Sequence, residues 1–162
     1  MDVEQYDSLE RRVAALEARS GIELMHNVYV RALADRQFDS LGDYFTDDAV
    51  IDMRLHGRRI GKAAISEHFA HMVDAPLDGA TYFVTAPIIT VDGDEGTGVW
   101  TWHRLHSTAQ VAGRTVPSWG VWEEGRYDCA YRRDADGGWK FSGMTFRVVR
   151  PVHDDDYAKT LS

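Results

Sequence analysis

Proton transfer at an activated C–H bond needs three things: a base, a donor for the oxygen on which charge develops, and walls that keep water out. A neutral histidine suits the first role, because imidazole titrates near about 6.5. Of the seven histidines, His106 is the foremost candidate. Period-two alternation along Gly98–Ala109 sets it on one strand face with Trp100, Trp102 and Arg104, and sets His103 on the other. Tyr29 lies in a helical stretch, where a buried phenol can donate to an enolate oxygen or simply pack against a sheet. Tyr82 can also donate a proton but is a poor base at a phenol pKa of about 10. Arg126, Asp128 and Ala130 share one face of a later strand. An Arg126–Asp128 pair is a common structural solution for charge in an interior; equally, Asp128 could orient His106 or act as base.

Trp100, Trp102, Trp119, Trp122, Phe83, Phe146, Met53 and Met144 form a rich apolar set. It suits a pocket for a flat or polycyclic molecule, and core packing accounts for part of it. Other constellations carry less. Glu67, His68 and His71 have chelating spacing, but a solvated helix face is the simpler reading, and no metal is expected. His26 stands i, i+3 from Tyr29. Cys129 alternates away from Asp128, which speaks against a nucleophilic role. There is no glycine-rich phosphate loop and no Ser-His-Asp motif.

The elements that must position these residues fit in 162 residues, the length of one domain with a short extension. The net charge of −8, with no basic run, makes nucleic acid and anionic membranes poor partners. No stretch approaches the ~20 apolar residues of a membrane helix. The acidic opening MDVEQYDSLERR has no apolar core, so a signal peptide is not expected. The single cysteine excludes an intrachain disulfide and fits a reducing, cytoplasmic location.

Apolar spacing predicts a helical N-terminal third, interrupted at Gly21. Residues 1–20 then read as a helical arm, 21–150 as the main domain and 151–162 as a tail. A short helix is expected around Phe38–Phe45, a strand over Ala49–Arg54 with its return at Arg58–Ile60, and a helix over Lys62–Val73. Four long strands follow, over Tyr82–Val91, Gly98–Ala109, Trp119–Arg133 and Trp139–Val149. They are divided by Asp92-Gly93-Asp94, Ala112-Gly113-Arg114 and the 134–138 turn. Helices first and an antiparallel meander after argue α+β, with helices packed in a strongly curved sheet whose mouth is a small-molecule pocket. A sheet this long exposes an apolar face unless another subunit covers it, so a homodimer or homotrimer is expected, with the arm able to exchange between subunits.

Two segments carry a resemblance. Tyr29-Val-Arg-Ala-Leu-Ala-Asp-Arg-Gln-Phe-Asp-Ser-Leu-Gly-Asp-Tyr-Phe-Thr-Asp-Asp-Ala-Val50 resembles the opening of the NTF2-like superfamily. The turn Tyr131-Arg-Arg-Asp-Ala-Asp-Gly-Gly-Trp-Lys-Phe141 resembles its late hairpin. Across residues 20–150 the chain looks most like the SnoaL-like group that contains scytalone dehydratase, the lindane dehydrochlorinase and the bile-acid 7α-dehydratase. The resemblance implies a cone-shaped α+β barrel, a dimer or trimer, and chemistry without metal or cofactor. It places His106 at a catalytic histidine of scytalone dehydratase, Tyr29 at an oxyanion tyrosine of isomerase-like relatives, and Met53 where those isomerases keep a carboxylate. Asp35 falls near the aspartate that orients the histidine, although spacing one residue short leaves Ala34 as the alternative. Thr81-Tyr82 stands where relatives carry the dyad histidine, so the usual His–Asp pair is incomplete. Asp128 and Arg126 fall on pocket positions.

The expected activity is a cofactor-independent dehydratase or isomerase acting on a hydrophobic, cyclic or polycyclic oxygenated molecule. His106 would be base or acid, Asp35 or Asp128 its orienter, and Tyr29 and Tyr82 the donors. Met53, Thr81, Phe83, Trp100, Trp102, Arg126, Met144 and Phe146 would contact the substrate. A non-catalytic binding or assembly domain is the first alternative. An epoxide hydrolase or cyclase using Asp35, Arg126 and Asp128 is the second.

Overall fold

In a computed structural model, the backbone is described for residues 3–53, 57–74, 80–111 and 114–150, and side chains for 5–53, 57–72, 82–104 and 124–147. Helix α1 (Val3–Ala34) leads through a 3-10 turn (Phe38–Tyr44) into strand β1 (Phe45–Asp52). The short β2 (Arg58–Ile60), helix α2 (Lys62–Ala70) and a 3-10 turn (His71–Asp74) follow. The remainder is β3 (Ala80–Asp92), β4 (Glu95–Val111), β5 (Arg114–Arg133) and β6 (Trp139–Arg150). The expected elements are present. The 3-10 form at Phe38–Tyr44 and the longer strands refine their ends.

The six strands form one sheet in the order β2-β1-β6-β5-β4-β3. It is mixed: β1 runs parallel to β6, whereas an antiparallel sheet was expected. The reason is topological. The connection through α2 carries the chain away from β1, the meander returns, and its last strand arrives alongside the first in the same direction. Parallel pairing needs such a long crossover.

Register shifts interrupt the ladders between Thr85 and Ile88, His106 and Thr108, and Glu124 and Gly125. Such irregularities bend strands and raise local twist, which curls the sheet around α1. The β5–β6 turn is fastened locally: the Asp134 carboxylate accepts from the amides of Asp136 (3.0 Å) and Gly138 (2.9 Å), and Gly137 supplies the positive φ of 81°.

The core stripe of α1 is Ile22, His26, Tyr29, Val30 and Leu33, while Leu24 and Val28 face outward. The helix also passes through Gly21 without a break, contrary to the sequence expectation. That glycine is a packing site. A Cβ there would stand 2.9 Å from the Trp139 ring, too close to be tolerated without movement.

Candidate functional site on the concave face

Alternation and register divide the described strand residues into two faces. Trp100 pairs with Tyr127, and Tyr127 with Phe146. Cross-strand partners share a face, so these three face inward, as do Tyr82, Val84, Trp102, Cys129, Tyr131 and Met144. Thr101 pairs with Arg126, Val99 with Asp128, and Phe83 with His103, all on the outer face.

The interior is stratified. In one buried layer, Trp100 donates its indole N–H to the Tyr131 hydroxyl at 2.7 Å, and His26 Nδ1 lies 2.9 Å from the same oxygen. The His26 ring lies 4.2 Å from Trp100, centroid to centroid. Gly98 makes this possible, since a Cβ there would be 2.8 Å from the Tyr131 ring. Burial lowers the His26 pKa from 6.5 to about 3, so this imidazole is neutral. Tyr131 and Cys129 are pushed up by burial, and Cys129 is a protonated thiol. A neutral buried thiol is a poor nucleophile.

Above this plug stands Tyr29. It is 0% exposed, and its ring is held edge-on by Tyr44, Phe45, Phe69 and Phe141 at 5.1–6.3 Å. Its hydroxyl has no hydrogen-bond partner among the described residues. Burial, reinforced by the nearby Cys129, raises its pKa well above the phenol range, so it stays protonated and can donate. Tyr127 beside it is raised by burial and by Tyr29, Cys129 and Tyr82.

Two residues further along β4, Trp102 meets Phe146 edge to face at 4.9 Å and the half-buried Tyr82 at 5.8 Å. Gly125 clears the space: a Cβ there would be 2.8 Å from the Phe146 ring. The Arg104 guanidinium lies over Trp102 at 5.8 Å. The Trp102 indole N–H is buried and, among the described residues, unpartnered. Half-buried Met53 packs against the hydrophobic core. The inner side thus holds two buried donors without partners among the described residues, the Tyr29 hydroxyl and the Trp102 indole N–H, the latter beside half-buried Tyr82 and Phe146; such donors suit an apolar molecule carrying an acceptor oxygen.

The anticipated residues therefore divide. Tyr29, Tyr82, Met53, Trp102, Met144 and Phe146 share the concave side, and Trp100 belongs to the plug beneath it. Phe83 stacks on His103 at 4.8 Å on the outer face. Arg126 and Asp128 form a bidentate ion pair there, both side chains over a third exposed. The sheet separates them from Tyr29, so Asp128 cannot orient a base on the inner side. Asp35 is exposed at the end of α1 and paired with Arg31 at 2.8 Å. This geometry removes the Asp35–Arg126–Asp128 arrangement an epoxide hydrolase would need. The backbone of His106 pairs with Ala80 and Val121; its side chain, with those of Thr81, Trp119 and Trp122, lies outside the described residues. His71 Nδ1 lies 2.7 Å from the Glu67 carbonyl, and the described residues hold no metal-binding cluster.

His26, Tyr127 and Tyr131 are core partners of the site that the sequence reading did not assemble. Their signals were present: His26 continues the Ile22–Tyr29–Leu33 stripe, and Tyr127-Cys129-Tyr131 is the period-two complement of Arg126-Asp128-Ala130.

Sequence and structure comparisons converge on this architecture. The profile of the SnoaL-like domain matches residues 14–145, and the chain belongs to that family. No curated protein matches the sequence. The fold is similar to that of a protein of Novosphingobium aromaticivorans DSM 12444 provisionally named scytalone dehydratase, at 18% identity over 86% of this chain and 88% of that one, TM-score 0.69. It is similar to the type 3 LinA hexachlorocyclohexane dehydrochlorinase of Novosphingobium barchaimii LL02, at 19% identity over 86% and 92%, TM-score 0.68. An NTF2-like protein of unknown function from Pseudomonas putida KT2440 matches at 16% identity over 87% and 96%, TM-score 0.69. Identities this low establish the shared curled-sheet fold. Among the described residues, no helix is long and apolar enough to cross a membrane.

Proposed function

We propose that this protein is a lyase or isomerase that works without a cofactor, moving a proton on a hydrophobic cyclic or polycyclic molecule with a carbonyl oxygen. The observation that carries the reading is the Tyr29 hydroxyl: fully buried, its pKa raised by that burial, and unpartnered among the described residues. A buried donor left open in this way has value when a ligand oxygen completes it. The dehydratase and dehydrochlorinase named among the similar structures are consistent with elimination chemistry on this fold.

In the proposed reaction the base is His106, two residues beyond Arg104 on β4. It takes the proton from the carbon next to the carbonyl. The electron pair moves into an enolate whose oxygen accepts from Tyr29. Collapse of the enolate forms the carbon–carbon double bond and expels a β-hydroxyl group, which leaves as water with a proton from Tyr82; transfer of the abstracted proton from His106 to the Tyr82 phenolate through solvent restores both groups. Return of the proton to another carbon would give isomerisation instead. By the resemblance the usual His–Asp dyad is incomplete, since Thr81-Tyr82 stands where relatives carry the histidine, and Asp35 is paired with Arg31 on the surface.

A second reading, a binding domain without turnover, is favoured by one observation: Asp35 and Asp128, the two carboxylates proposed to hold the base, both lie away from Tyr29. Incubating the protein with a panel of polycyclic ketones and β-hydroxy ketones in deuterated water separates the two. Deuterium uptake or loss of water supports the enzyme. Thermal stabilisation by the same compounds with neither reaction supports the binding domain.

A further inference from the structure

The N-terminal part of α1 carries a feature that the concave site does not use. Residues 5–17 are exposed along the whole length, about 20 Å of helix at 1.5 Å per residue, before Ala18 becomes the first buried position. Yet Tyr6, Leu9, Val13 and Leu16 recur at spacings of three, four and three residues, and each is 40–66% exposed. That spacing is the a/d seam of a heptad, with Tyr6 and Val13 at a, Leu9 and Leu16 at d. Val13 at a with leucine at both d positions fits two strands rather than three or four.

Charge chooses the partner and its direction. The flanking g and e positions hold Arg12 and Glu17. Among the described residues neither has an ion-pair partner within its own chain. In a parallel pair of identical helices, Arg12 of one copy meets Glu17 of the other, twice by symmetry. In an antiparallel pair, g faces g and e faces e, so Arg12 is set against arginine and Glu17 against glutamate. We propose that the occupant of this face is the same face of a second copy of this chain, forming a short parallel two-stranded coiled coil. Such an arrangement is isologous and closes as a dimer.

Cross-linking through Tyr6→Cys tests it on the full chain, because the only native thiol, Cys129, is buried. Two a positions facing each other in a parallel pair come within disulfide reach. Mild oxidation should give a disulfide dimer, and Leu9→Asp with Leu16→Asp should abolish it. Arg12→Glu alone should weaken dimer formation, and Arg12→Glu with Glu17→Arg should restore it. Circular dichroism confirms that each variant keeps its fold. A Tyr6→Cys protein that stays a free, reactive thiol under oxidation overturns the proposal. So does cross-linking that appears only between Tyr6→Cys and Leu16→Cys chains, which would mark an antiparallel pair. Neither result bears on the chemistry at Tyr29.

Discussion

Replacing Tyr29 by phenylalanine should separate stability from function in opposite directions. The ring is clasped by four aromatic neighbours and is 0% exposed, so phenylalanine keeps the same position. What is lost is a hydroxyl with no partner among the described residues. A buried polar group without a hydrogen bond costs about 1–3 kcal/mol. Tyr29→Phe should therefore gain stability, with about 1 kcal/mol as the conservative figure, or a rise in Tm of roughly 2–4 °C for a chain of this size. If the same hydroxyl holds the enolate oxygen, turnover should fall by about 10²–10³, the usual loss on deleting one oxyanion donor. Urea unfolding and deuterium-exchange kinetics on the same preparations give both numbers. A variant destabilised by more than about 1 kcal/mol with unchanged turnover would refute the reasoning, because the hydroxyl would then be bonded within the protein.

Three further outcomes are expected. His106→Gln should keep the fold and slow the reaction by roughly 10²–10⁴; unchanged turnover in steady-state kinetics would remove His106 from the mechanism. Tyr131→Phe takes away the oxygen shared by Trp100 and His26 and strands two buried nitrogens. It should cost roughly 2–5 kcal/mol in chemical denaturation. The third outcome concerns pH. The folded-state pKa of His26 is about 3 against 6.5 for the free side chain. Above the higher value neither state binds the proton. Between the two only the unfolded chain binds it, so stability falls as pH drops, by up to about 1.4 kcal/mol per pH unit. Denaturation midpoints at pH 7.5 and 5 should differ accordingly, and His26→Gln should flatten that part of the profile.

Much of the architecture could be read from local pattern. The long strands follow from Val, Thr, Trp and Tyr runs broken by Asp-Gly turns, and the two faces of β5 follow from the alternation of Arg126-Asp128 with Tyr127-Cys129. The parallel β1–β6 contact was not readable in this way, because it joins segments about ninety residues apart and leaves no local periodicity. Gly21 shows the same limit: sequence makes it a helix interruption, while the approach of Trp139 makes it a packing requirement.

The site divides along the same line. Which side chains could do acid–base work is a matter of residue type, and Tyr29, Tyr82, Asp35, Asp128 and His106 can all be named from the chain alone. Which of them can meet is a matter of how the sheet curls. Alternation tells that Asp128 and Tyr127 face opposite ways, but not which way is in. Only the curling of the sheet around α1 puts Tyr29, Trp102 and Tyr127 on one inner side and leaves Asp128 with Arg126 outside. The physical reason is range. Propensity and period act over a few residues, whereas burial, and the pKa shifts and unpartnered donors it creates, depends on contacts between segments distant in sequence.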